Sequence, residues 1–141
     1  DVYLADHGID VRTIEGAGAA GGLAGGLAVA GAKLVGGFDA IADELDVPDL
    51  IEGADLVVTA EGFLDEQSFD GKVVGGVAQL ASASGVPCLA VVGEVVPDLA
   101  VGVGDLRVVS LVERFGDERA RHDTVACITE AVAEAVAAHQ E

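Results

Sequence analysis

A dense group of polar side chains follows the most strand-like apolar run of this sequence. The run is Asp55-Leu-Val-Val-Thr59-Ala, and Glu61 and Asp65 come after it, four residues apart. Carboxylates in such a pair can hold Mg²⁺ directly or through water, or can accept a proton from a hydroxyl nucleophile. Gln67-Ser68 adds two side chains that can orient a substrate. Lys72 falls in the first turn of a predicted helix, where a cation opposes the helix dipole unless it faces an anion.

A connecting loop without a ligand is the alternative interpretation of the same residues. The carboxylates would then form a solvated acidic loop, and Lys72 would pair with Asp70, Asp65 or Glu61. The position of the group favours a site, because open parallel sheets bind ligands beyond the carboxyl ends of their strands.

A second signal is rich in glycine. Residues 16–21 read Gly-Ala-Gly-Ala-Ala-Gly, which satisfies the spacing of a dinucleotide-binding turn, and Asp39 follows at about the distance of a ribose-binding acid. That fingerprint requires an apolar strand first, whereas residues 10–15 are short and half polar. The glycines can instead let a helix pack closely, or a glycine-rich helix start can offer its free N–H groups to a phosphate or carboxylate.

Strand and helix patterns alternate along the chain, which predicts an α/β fold with a parallel sheet and helices on both of its faces. The predicted strands cover residues 55–60, 88–92 and 107–112, and the first of them is of the type buried on both faces. The predicted helices cover residues 17–32, 38–45, 49–52, 71–84 and 118–139. In the last helix the predicted core-facing stripe consists of Val125, Ile128, Val132 and Val136.

Composition excludes several classes of function. The 141 residues include 25 acidic and 7 basic side chains, which gives a net charge of −18. Such a surface repels nucleic acids and anionic membranes, so neither is an expected partner. Cys88 and Cys127 lie in apolar segments without further ligands at metal-binding spacing, which indicates reduced thiols and a cytoplasmic protein.

Taken together, the motifs resemble those of the bacterial glycerate kinase family. The blocks that carry the resemblance are Gly16-Ala-Gly-Ala-Ala-Gly-Gly-Leu23, Asp55-Leu-Val-Val-Thr59, Glu61-Gly62-x-Leu64-Asp65-x-Gln67-Ser68-x-x-Gly71-Lys72 and Gly76-Val-Ala78. The resemblance implies ATP-dependent phosphorylation of D-glycerate with Mg²⁺, in a cleft between two α/β domains. It also implies that residues 1–141 correspond to the C-terminal portion of a family member, with a glycine-rich segment at 16–37 and a motif-bearing α/β segment at 55–141.

The resemblance also assigns roles to particular residues. Asp65 and Glu61 would hold Mg²⁺ or orient the hydroxyl, and Lys72 would neutralise phosphate or carboxylate charge. The remaining matched positions would bind substrate or phosphate; they are Gly16, Gly18, Gly21, Gly22, Thr59, Gln67, Ser68 and Gly71.

Three positions depart from the family pattern. Ala60 stands where the family usually has Gly, Phe63 where it has Arg, and Val74 where it has Pro. Phe63 matters most, since an Arg supplies bidentate hydrogen bonds to an anion that Phe cannot replace. The N-terminal motifs of the family are also missing, so we expect the 141 residues alone to be inactive. Two other hypotheses remain open, a non-catalytic acidic α/β binding module and a fragment of a dinucleotide-binding oxidoreductase.

Overall fold

The computed structural model describes residues 2–139. The chain divides into two compact units, Asp1–Ala40 and Ile41–Glu141, and each is described here by itself. None of the helices within 2–139 is long and apolar enough to cross a membrane.

The first unit is built from short helices. Helix α1 spans Val2–His7, helix α2 spans Leu23–Val29, and 3₁₀ turns cover Val11–Thr13 and Ala19–Gly22. The predicted helix over residues 17–32 is therefore shorter than expected. Its first turns are interrupted because the backbone turns left-handed at residues 20–22, a conformation that glycine adopts at little cost.

The stretch before the glycines also differs from a strand. Asp10 caps the 3₁₀ turn at Val11–Thr13 by accepting a hydrogen bond from the backbone N–H of Arg12. Hydrogen bonds from the Arg12 side chain to the carboxylate lower the pKa of Asp10 to about 2.

The second unit contains a parallel three-stranded sheet, as predicted. Its strands are β1 at Val57–Leu64, β2 at Cys88–Val95 and β3 at Leu106–Ser110, in the order β1-β2-β3. In the register of the sheet, Thr59 lies opposite Ala90 and Glu61 opposite Val92. Helix α3 at Gly37–Glu44 contains the boundary between the units. The later helices are α4 at Val47–Glu52, α5 at Val73–Ala83, α6 at Leu111–Phe115, α7 at Asp117–His122 and α8 at Thr124–His139.

Alternate residues of β2 contact two different helical layers. Cys88 packs with Ala78 and Ala81 of α5, whereas Leu89 and Val91 pack with residues of α6 and α8. All five residues from Cys88 to Val92 are buried. The predicted sandwich of a parallel sheet between helices is thus confirmed, with β2 at its centre.

The prediction of burial on both faces is wrong for β1. Val58 remains 43% exposed and Phe63 49% exposed, because β1 is an edge strand and α8 packs on β2. The strand also runs further than predicted, to Leu64, so that Glu61 lies within the strand and not after it.

The C-terminal helix differs from the prediction in two respects. It is divided at Asp123, whose non-helical backbone separates α7 from α8. The predicted stripe is confirmed in part, since Ile128 and Val132 pack against the core. Val125 is 79% exposed, however, and the buried positions are Cys127, Ala131 and Ala135. The centre of the buried face is thus formed by small side chains, with Ile128 and Val132 beside them.

Helix α5 docks on the turn that follows β1 at a single glycine. A Cβ atom placed on Gly75 would lie 2.6 Å from the Cα of Phe69 and 2.6 Å from the carbonyl oxygen of Ser68. Both contacts involve backbone atoms, which cannot move aside as a flexible side chain would. Gly75 is therefore required for this close approach.

We expect Gly75→Ala to lower the free energy of unfolding by about 1–3 kcal/mol, because α5 must shift away from residues 68–69. Gly53→Ala is the matched control, since its Cβ would meet only ordinary contacts at 3.9 Å. Urea unfolding followed by circular dichroism measures both, and equal stability of the two variants would contradict the close docking of α5.

Candidate functional site

The turn after β1 is closed by Asp65 and Ser68. Asp65 Oδ1 accepts hydrogen bonds from the Ser68 backbone N–H at 3.0 Å and from the Ser68 hydroxyl at 3.2 Å. The Ser68 hydroxyl in turn accepts the backbone N–H of Asp65 at 3.1 Å. This capping box starts the 3₁₀ turn Glu66–Phe69, and Ser68 is fully buried within it.

Lys72 lies beside the same carboxylate. It is the N-cap residue of α5, and its Nζ stands 3.8 Å from Asp65 Oδ1, with both side chains partly exposed to solvent. Among the three acids expected as partners of Lys72, namely Asp70, Asp65 and Glu61, Asp65 is therefore the one that forms the ion pair. Exposed pairs at this distance contribute little to stability, so Lys72 is available to a stronger anionic partner.

Glu61 occupies a different environment from Asp65. It belongs to the part of β1 that faces α5, as shown by its register with Val92, which packs with Val74 of that helix. Its Oε1 atom is buried and has no hydrogen-bond partner within residues 2–139. Thr59, two residues earlier on the same face, is also buried.

The other residues predicted near this turn are accessible. Gln67 lies exposed in the 3₁₀ turn, and Gly71 is exposed with a φ of +75°, which lets the chain reverse into α5. The structure thus brings Asp65, Ser68 and Lys72 into direct contact. The binding roles of Gln67 and Gly71 stay predictions.

The glycine-rich residues belong to the first unit, whereas residues 59–72 belong to the second. Gly16, Gly21 and Gly22 all have positive φ, and Gly18 is exposed. Val11–Thr13 form a 3₁₀ turn where a dinucleotide-binding fold needs a strand. This context counts against the oxidoreductase hypothesis, and anion binding by these glycines stays a prediction.

A pocket of about 370 Å³ at the carboxyl edge of the sheet was missed by the sequence analysis. Gly62 and Gly93 line it from β1 and β2, and Arg121 of α7 reaches Glu94 at 3.7 Å. A hydrogen bond to Asp117 at 2.6 Å raises the pKa of the Arg121 guanidinium. The sequence signal that could have indicated this pocket is Gly93-Glu94, which follows an apolar run as Glu61-Gly62 does.

The described residues do not form a complete set of protein ligands for a metal ion. Across residues 2–139 there is no group of three or more His, Cys, Asp or Glu side chains placed to hold an ion. Any cation at this turn would be held by one or two carboxylates together with ligand or water oxygens.

Comparison with known proteins settles the family. A family model described as the glycerate kinase family matches residues 1–140. The chain belongs to the glycerate kinase family. The resemblance seen in the motifs is thereby confirmed.

Individual relatives of this glycerate kinase family member agree with that result. The chain is 44% identical over 87 residues to a glycerate kinase of Halalkalibacterium halodurans, covering 61% of this chain and 23% of that protein. It is 38% identical over 94 residues to the glycerate 2-kinase of Escherichia coli K12, covering 66% of this chain and 25% of that protein. The chain thus spans about a quarter of the length of these curated relatives.

A crystal structure assigned as a glycerate kinase 2 of Salmonella typhimurium LT2 shares the fold. It superposes with a TM-score of 0.55 at 31% sequence identity, over 94% of this chain and 37% of that one. The α/β architecture of the glycerate kinase family member is therefore also that of a solved relative.

We expect Ser68→Ala to lower the free energy of unfolding by about 1–2 kcal/mol, because the Asp65 N–H loses its acceptor and the cap is broken. Ser84→Ala, at the exposed C-cap of α5, is the control and should change stability by less than about 0.5 kcal/mol. Thermal unfolding compares the two, and a Ser68→Ala protein as stable as the Ser84→Ala protein would refute the structural role of the box.

Proposed function

We propose that this chain is the segment of a glycerate kinase that carries the Glu61–Lys72 motif and takes part in the ATP-dependent phosphorylation of D-glycerate. The observation that carries the proposal is the contact of Asp65, Ser68 and Lys72 at the carboxyl end of an edge strand, in a chain of this family. Relatives named glycerate kinase align over this same segment.

Phosphoryl transfer depends on positioning and charge neutralisation more than on covalent chemistry by the protein. In the reaction, the glycerate hydroxyl oxygen bonds to the γ-phosphorus of ATP, the bond from that phosphorus to the bridging oxygen breaks, and ADP leaves. A carboxylate of the Glu61–Lys72 motif accepts the hydroxyl proton. Lys72, held close to the turn by the cap, offsets the negative charge of the phosphate or of the glycerate carboxylate.

Mg²⁺ fits this arrangement as an ion carried mainly by the phosphates. The chain offers the carboxylate of Asp65, which uses only Oδ1 in its hydrogen bonds and ion pair. Mg²⁺ in nucleotide sites commonly takes one or two protein carboxylates and completes its shell with phosphate and water oxygens. When bound, it would neutralise charge on the transferring phosphate.

The active unit in this proposal is longer than 141 residues. The matched relatives are about four times as long as the segment they share with this chain. The remaining part of the family's fold would supply the opposite wall of the cleft, and the 141 residues alone would not turn over substrate.

A non-catalytic binding module is the second candidate. Phe63, which replaces an Arg of the family pattern, is 49% exposed on β1 and offers no hydrogen bond to an anion. A homologue of this kind would retain the fold and the organic acid site without transferring phosphate.

We expect Lys72→Ala to reduce D-glycerate phosphorylation by about 10²-fold or more in a polypeptide that joins this segment to the rest of the family's fold, since a charge facing the transferring group is lost. Lys33→Ala is the matched control, because it removes the other lysine of the chain, in the first unit. ADP release with and without D-glycerate measures the rate.

Stability separates a chemical effect from a structural one in this assay. The exposed Lys72–Asp65 pair contributes at most about 1 kcal/mol, so the Lys72→Ala protein should remain folded. An unchanged rate removes Lys72 from the site, and glycerate binding without any ADP release in the unmodified protein favours the binding module.

A further inference from the structure

We propose that the two carboxylates of the motif have separate tasks: Glu61 is the group that meets the substrate hydroxyl, and Asp65 is a positioning residue that builds the turn. This rests on the proposed function and assigns roles within the same site. The observations are the orphaned oxygen of Glu61 and the fully used Oδ1 of Asp65.

Asp65 is committed to the backbone of the turn. Its Oδ1 accepts two hydrogen bonds from Ser68 at 3.0 and 3.2 Å and pairs with Lys72 at 3.8 Å. A ligand that drew on this oxygen would have to break the cap that starts the 3₁₀ turn. Asp65 therefore acts through what it holds, namely Ser68 and Lys72.

Glu61 shows the opposite situation. Its Oε1 atom is buried, yet no donor within residues 2–139 reaches it. A buried acceptor without a donor costs stability, and a carboxylate oxygen costs more than a neutral one. Folding therefore gains nothing from this oxygen, while a ligand that brings a donor would satisfy it.

The ligand group that fits is a hydroxyl. Thr59 and Glu61 share the α5 face of β1, and both are set on a regular strand and not on a loop. A single carboxylate oxygen is a suitable acceptor for one O–H donor, whereas the described residues contain no third ligand for a protein-held cation. Glu61 is thus placed to receive the proton of the attacking hydroxyl.

Melting temperatures test the division of roles between Glu61 and Asp65 without any ligand. Asp65→Ala should lower Tm by about 3–6 °C through loss of the cap. Glu61→Gln should leave Tm unchanged or raise it by up to about 4 °C, because the charge is removed from a half-buried carboxylate whose Oε1 has no donor. A Glu61→Gln protein that melts as low as Asp65→Ala would show that the Glu61 carboxylate is structural and would overturn the proposal.

Titration with D-glycerate tests the ligand in a polypeptide that joins this segment to the rest of the family's fold, followed by the amide NMR shifts of residues 59–68. Glu61→Gln should weaken binding by about tenfold or more, the loss of one hydrogen bond to a charged group. Asp65→Asn keeps the cap, since Asn is as good an N-cap as Asp, and should lose less affinity than Glu61→Gln. Glu66→Gln, an exposed acid in the same turn, is the control and should bind as the unmodified chain does.

Each result of the titration decides one question. Greater loss in Asp65→Asn than in Glu61→Gln overturns the role division. A response of residues 59–61 to MgCl₂ alone that disappears in Glu61→Gln overturns the hydroxyl assignment in favour of the cation. Absence of any glycerate response in the unmodified form of that longer polypeptide counts against the proposed function of this segment, and the melting temperatures then decide the division of roles by themselves.

Discussion

The reciprocal hydrogen bonds between Asp65 and Ser68 are the constraint on which this part of the molecule depends. They stop β1 after Leu64, start the 3₁₀ turn and leave the backbone of residues 68–69 where α5 can dock. Gly75 completes the arrangement, since only a residue without Cβ lets the helix approach that backbone. The position of Lys72 at the N-cap of α5 follows from both contacts.

A motif of two acids, a serine, a glycine and a lysine therefore serves the fold and the chemistry together. Part of its spacing is explained by the turn alone, since Asp65 at the N-cap and Ser68 three residues later form the reciprocal bonds of a capping box. Glu61 is the member that the turn does not explain, because it precedes the cap and its oxygen contributes to no bond of the described chain. A residue that the turn does not require, such as Glu61, is therefore the stronger indication of function.

Much of the second unit could be predicted from sequence because its signals are local. The three apolar runs became strands, and Gly85, with a φ of +68°, ends α5 as the pattern indicated. Predictions failed where the outcome depends on the neighbours of an element. The exposure of Val58 follows from the edge position of β1, and the buried face of α8 follows from the fit of alanines against the sheet. The capping box was within reach of sequence reasoning, whereas the orphaned oxygen of Glu61 was not, because burial of one atom is a tertiary property.

Charge is the remaining constraint on an anion site in this protein. With a net charge of −18, most of the surface repels a phosphate or an organic acid. The fixed positive charge at the motif is Lys72, and Asp65 already offsets part of it at 3.8 Å. That pair is weak because water screens both groups, so an incoming anion with more charge than one carboxylate can compete for the ammonium without unfolding the cap, which rests on the hydrogen bonds to Ser68. Because the cap does not depend on the ammonium group, Lys72 can change partners while the turn stays in place, although both contacts use Asp65 Oδ1.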